Sequence, residues 1–80
     1  MSFSDRTYSA TGAKAITPSD TARLAPLAVA LWIGTEGDVS VETANGDTVT
    51  FKGVQGLLSV QVSRVRNTGT TATDIVALYN

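Results

Sequence analysis

Two short glycine-containing stretches constrain this chain more than any other feature. Gly34-Thr35-Glu36-Gly37-Asp38 and Thr43-Ala44-Asn45-Gly46-Asp47 each separate segments rich in Val, Leu, Ile and Phe. Each offers a glycine at the third position of a three-residue loop. A type I turn closed by a G1 bulge needs a left-handed backbone there, which glycine enters without a Cβ clash. With Thr35-Glu36-Gly37 as a loop, Ile33 faces Val39 and Leu31 faces Val41. With Ala44-Asn45-Gly46 as a loop, Val41 faces Val49 and Val39 faces Phe51. All these apolar side chains then share one face of a three-stranded antiparallel meander. A two-residue Asn45-Gly46 turn would slip the register by one residue and mix the faces, so the apolar pattern selects the longer loops.

Strands are expected at Leu27–Ile33, Asp38–Thr43, Thr48–Lys52, Leu57–Arg66 and Thr73–Tyr79. Leu58, Val60 and Val62 alternate with Ser59, Gln61 and Ser63, the pattern of a half-buried strand. Gly53-Val54-Gln55-Gly56 and Asn67-Thr68-Gly69-Thr70-Thr71 read as connections, and Gly12–Ile16 as a short edge strand. Pro18 pushes Thr17 into the extended region, and Ser19 or Asp20 could cap one helical turn over 21–24. The expected fold is all-β: a small antiparallel sandwich or barrel of five or six short strands with an extended N-terminal arm. Residues 1–13 form the arm and 14–80 a single β domain.

Composition narrows the chemistry. With no cysteine, there is no disulfide and no thiolate. With no histidine, there is no Ser-His-Asp or Cys-His machinery and none of the usual zinc sites. A net charge of −1 gives no footprint for a nucleic-acid partner. The longest apolar run, from Ala25 to Ile33, is too short for a helical membrane span, and no signal peptide is visible at the N-terminus. The glycines match no phosphate-cradling fingerprint, and the acids cluster at turns rather than across a cleft. No catalytic residue, cofactor or metal site is expected. Glu36, Asp38 and Asp47 do not match the spacing of a calcium loop.

What remains is assembly. An 80-residue chain with few inward-facing apolar residues and no covalent or metallic brace is marginal alone, and association with further copies is the natural remedy. Trp32 points away from Leu31 and Ile33, onto a face expected to hold Ala28, Ala30, Ser40 and Thr50. Trp is enriched at protein–protein hot spots, and the two alanines leave room for close approach. The other reading of Trp32 is a second small core beneath the arm. Phe3 and Tyr8 make an arm lying on a neighbouring subunit a candidate contact, against the alternative of a frayed terminus. Arg64 and Arg66 could clamp a carboxylate or phosphate of a partner, or sit at a solvated strand end. Asp38 and Lys52 fall opposite each other as a surface ion pair.

Several segments carry a resemblance when taken in order: Ala15-Ile16-Thr17-Pro18-Ser19-Asp20-Thr21, Ala30-Leu31-Trp32-Ile33-Gly34 with Gly37-Asp38-Val39, and Thr48-Val49-Thr50-Phe51-Lys52. Leu57-Leu58, Arg64-Val65, Thr68-Gly69-Thr70-Thr71-Ala72-Thr73 and Ile75-Val76-Ala77-Leu78-Tyr79 complete it. Over residues 14–79 the chain is similar to the small spike-base proteins of gene transfer agent heads and of related tailed bacteriophages of alphaproteobacteria. No single segment is diagnostic; the order and spacing carry the likeness. The 53–56 connection lacks a proline often found there in the family.

The resemblance implies a non-enzymatic virion protein on the capsid exterior, made in the bacterial host cytoplasm. It would form a homo-oligomeric ring at capsid vertices and hold a head spike or fibre. The implied partners are further copies of itself, the major capsid protein and the spike or fibre protein, with no nucleic acid and no membrane. The family brings no catalytic motif to transfer. The alternatives are a capsid cement or decoration protein stapling capsomers, and a small glycan- or peptide-binding module built around Trp32.

Overall fold

The computed structural model describes residues 10–25 and 27–80. Five strands make one antiparallel sheet: β1 (Gly12–Ala15), β2 (Ala30–Thr43), β3 (Thr48–Leu58), β4 (Val62–Val65) and β5 (Thr73–Tyr79). The order is β1-β5-β2-β3, and β4 also pairs with β2. The all-β class follows the sequence expectation, and β5 has the bounds expected for it.

The Gly46 hairpin forms as the spacing dictates. Thr43 N donates to Asp47 O at 2.8 Å, Gly46 N donates to Thr43 O at 2.9 Å, and Gly46 takes φ 96°. Val41 then pairs with Val49, and Val39 with Phe51.

The other expected loop does not exist. β2 runs without a turn through Thr35-Glu36-Gly37, bent by bulges between Ile33 and Val39. Leu31 therefore pairs with Leu58 and Ala77 instead of Val41, and Ile33 with Gly56 and Ile75 instead of Val39. Close approach, rather than a left-handed backbone, explains the glycines. A Cβ on Gly37 would fall 2.5 Å from Ala72 N and 2.7 Å from Ala72 Cα. One on Gly34 would fall 2.8 Å from Asp74 Cβ. The 70–72 segment crosses β2 at this point. Thr71 N and Ala72 N donate to Asp38 O at 2.8 and 3.1 Å, and Thr71 Oγ1 accepts from Asp38 N at 2.9 Å.

Two further boundaries move. The 53–56 connection is part of β3, carried through two left-handed glycines, Gly53 (φ 62°) and Gly56 (φ 89°). The strand expected at Leu57–Arg66 splits, with Leu57 and Leu58 ending β3 and β4 starting at Val62. No helical turn follows Ser19. Its Oγ accepts from Thr21 N and Ala22 N, but Leu24 N then donates to Ser63 O at 2.8 Å. Ser19, Leu24 and Ala28 thus lie along β4, bonded to Val65, Ser63 and Val62 on its outer side.

The core gathers at Leu31, Ile33, Val39, Val41 and Val62, all fully buried, with Ala28, Val65, Ala72, Ile75 and Ala77 around them. Odd-numbered β2 residues point inward on both sides of the bulged region, because its irregularities preserve the alternation. Val49, expected on the core face, remains 40% exposed at the rim.

Gly37→Ala drives a methyl group into backbone that cannot step aside, and should cost about 1–3 kcal/mol in urea denaturation. Gly46→Ala meets no atom within 4 Å and should lose only the ~1–2 kcal/mol of a left-handed L-residue. A Gly37→Ala loss below ~1 kcal/mol would contradict the close-approach explanation.

Candidate functional site

The pairing register assembles an apolar row across the sheet. Leu57 on β3 faces Trp32 on β2, Trp32 faces Val76 on β5, and Val76 faces Ala15 on β1. A second row, Ala13, Leu78 and Ala30, lies beside it. Trp32 is 49% exposed and Leu57 59%. These rows contain no charged side chain. Asp74, farther along β5, has its carboxylate engaged by Thr35 Oγ1 at 2.8 Å. Next to the rows, Ala10, Val29, Ala30, Leu57, Val60 and Leu78 help line a hollow of about 560 Å³. Isolated exposed apolar residues are ordinary, but a contiguous uncharged face centred on Trp marks an interaction surface.

The sequence candidates divide around this face. Trp32 is its centre, and Ala30, nearly buried, is the floor beside it. Ala28 is not on it. The bend at Val29 resets the alternation, so Ala28 bridges Val62 and lies fully buried in the core. Ser40 and Thr50 pair as expected, but Ser40 is buried near Gly69 and bonded to Thr70. Phe3 and Tyr8 lie outside the described residues. Leu57 and Val76 were missed. Leu57 did carry a signal: two adjacent leucines in one strand cannot both point inward.

Arg64 and Arg66 are engaged within the chain. Arg64 pairs with Glu42 at 2.7 Å and donates to Asp20 O at 2.8 Å, and Arg23 reaches the same Glu42 oxygen at 3.0 Å. Arg66 Nε lies 3.8 Å from Asp20 Oδ1, an ion pair without a hydrogen bond. Asp20 also accepts from Thr68 N at 2.9 Å and Thr68 Oγ1 at 2.7 Å, tying the 19–25 segment to the chain after β4. The Thr68 backbone N–H is the main reason this carboxyl sits below its ordinary pKa, with the Thr68 hydroxyl next. Contacts this distant in sequence leave no local pattern to read.

Asp38 and Lys52 meet as expected, at 3.4 Å. The Asp38 carboxylate also accepts from Gly53 N at 3.0 Å, the main cause of its lowered pKa. Among the described residues, no three acids gather as a metal site.

A chain in the solved capsid of a native GTA (gene transfer agent) particle, computed with C5 symmetry, matches with a TM-score of 0.77 and 40% identity, over 86% of this chain and 82% of that one. No family model and no curated protein matches. The chain belongs to the family of gene transfer agent and phage capsid proteins, and its place is the virion.

Asp20 and Asp38 stabilise the fold through their charged forms. Their contribution is complete above the unfolded-chain pKa of 3.8 and is lost as pH falls through the lower folded values. Asp20→Asn should therefore be less stable than the parent at neutral pH, and the gap should narrow in acid. Urea midpoints across that range check this. A gap that stays constant with pH would contradict it.

Proposed function

We propose that this protein is a structural subunit of the capsid exterior that assembles with copies of itself into a ring at the capsid vertices and holds a spike or fibre protein there. The observation that carries the proposal is the Trp32–Leu57 row, apolar, uncharged and open to solvent, on a chain of a capsid family. A face of this kind costs solubility in a lone subunit and is retired by a neighbour. Trp at the centre of such a face is the residue type that most often dominates an interface. The particle holding the related chain was computed with C5 symmetry. A fivefold axis through a vertex is a natural seat for a closed ring of identical subunits. The order and spacing of segments over residues 14–79 support the spike-base assignment within the capsid family.

The chemistry required is complementarity rather than turnover. The guanidinium groups of Arg64 and Arg66 are spent on Glu42 and Asp20, so the face left for partners acts through apolar contact. Such contacts tolerate salt, whereas surface ion pairs are screened by it.

Labelling the chain on intact particles tests its position. Density confined to vertices, beneath a spike, is the expected result. Copies spread over the capsid faces would instead make it a cement protein. Trp32→Ala should leave the sheet folded and the ring assembled, and should weaken attachment of the ring to the particle neighbour that covers this face ~30-fold or more, the loss typical of a tryptophan hot spot of at least ~2 kcal/mol. Binding of the labelled chain to particles that lack it measures this, and unchanged binding would remove Trp32 from the interface.

A further inference from the structure

Two strand edges stay open among the described residues: the outer side of β1 and the outer side of β3. The outer side of β4 is occupied, since Ser19 N and Leu24 N donate to Val65 O and Ser63 O, and Ala28 bridges Val62.

The groups that face outward can be identified. Ser40 donates its N–H to Thr70 Oγ1 and accepts Arg66 N on its C=O, both on the side away from β3. Its partner Thr50 therefore turns its own N–H and C=O to the open side, and by alternation so do Thr48 and Lys52. On the other edge, Ile16 N bonds to Ile75 O. The alternation then turns the backbone groups of Lys14 toward β5 and those of Ala13 and Ala15 outward. No described residue bonds the outward groups on either edge.

The two edges fit each other in three respects. First, sidedness agrees. Ala13 and Ala15 carry their side chains on the Trp32 face through their rows, and Thr48 and Thr50 do so through Glu42 and Ser40, even-numbered like Trp32. Pairing the outward groups keeps solvent-facing sides together and core-facing sides together. Second, direction agrees. Each step along β1-β5-β2-β3 is antiparallel, so β1 and β3 run in opposite directions. Two copies in the same orientation therefore offer each other an antiparallel pair. Third, extent agrees. The four residues of β1 fit within the five-residue regular stretch Thr48–Lys52, before β3 bends at Gly53. That stretch has no proline and one charged residue, Lys52, so it is weakly guarded against strand addition.

The geometry points to head-to-tail sheet joining between copies of this chain, with β1 of one adding to Thr48–Lys52 of β3 in the next. The inference rests on the self-assembly proposed above and supplies its geometry. Because the joined edges are unlike, the contact generates a ring when the rotation closes, rather than a twofold dimer.

Proline at an outward N–H blocks an edge without removing a bond inside the sheet. Thr50→Pro blocks the β3 edge and Ala13→Pro the β1 edge. In sedimentation, each variant alone should be monomeric. An equimolar mixture should form a dimer and nothing larger, since one intact pair of edges remains, and that dimer also demonstrates that both variants fold. Ring formation by either variant overturns the proposal, and so does dimerisation of Ala13→Pro alone, which means β3 pairs with β3. Hydrogen exchange on the assembled wild type gives a second readout that needs no variant. The amides of Ala13, Ala15, Thr48 and Thr50 should exchange at least about tenfold more slowly than in the monomer. Fast exchange within an intact oligomer overturns the edge contact while leaving self-assembly standing. A wild-type chain that never associates removes the self-assembly itself.

Discussion

Everything in this sheet is organised by the passage of β2 beneath the 70–74 segment. β2 is the strand that β3, β4 and β5 all pair with, and it supplies four of the five largest fully buried side chains. To serve both β5 and β4 on one side, it must bend where the chain between them crosses. The crossing brings the Ala72 backbone and the Asp74 side chain so near Gly37 and Gly34 that a Cβ at either position would collide. Asp74 itself takes a left-handed backbone, φ 58°, a conformation that Asp tolerates better than most residues. Two missing methyl groups thus allow one strand to act as the spine of an 80-residue fold.

This constraint also explains how far the sequence could be read. Alternation identified Leu31, Ile33, Val39 and Val41 as core, and the two-residue period is insensitive to where strands begin and end. The Gly46 turn was legible because its flanks fix the register. The Gly34–Gly37 stretch looked the same in sequence but has a different cause. Glycine is demanded both by positive φ and by close approach, and only the position of the 70–74 chain, distant in sequence, separates the two. The strand ends of β3 and β4 failed for a related reason. Gly53 and Gly56 read as punctuation, but in the structure they bend a strand that continues through them.

The candidate surface was half legible. Trp32 and Ala30 followed from parity along one strand. Leu57 and Val76 joined them only through pairings with other strands, which depend on the corrected register. Ala28 was misplaced because the bend at Val29 breaks the alternation just before β2 begins. The arginines illustrate a different limit: Arg64 and Arg66 have chain-internal partners, Glu42 and Asp20, that no spacing rule connects. The result is a molecule that keeps much of its charge in local ties and presents an uncharged apolar face elsewhere.

One further consequence follows from the pairing of the first strand with the last. β1 lies against β5, with Thr11 N bonded to Tyr79 O. During synthesis, β1 leaves the ribosome early and has no partner until β5 has emerged, so the sheet is completed by its longest-range pairing. Every other strand of the sheet is already made by then. The first element of this fold to appear is therefore among the last to settle.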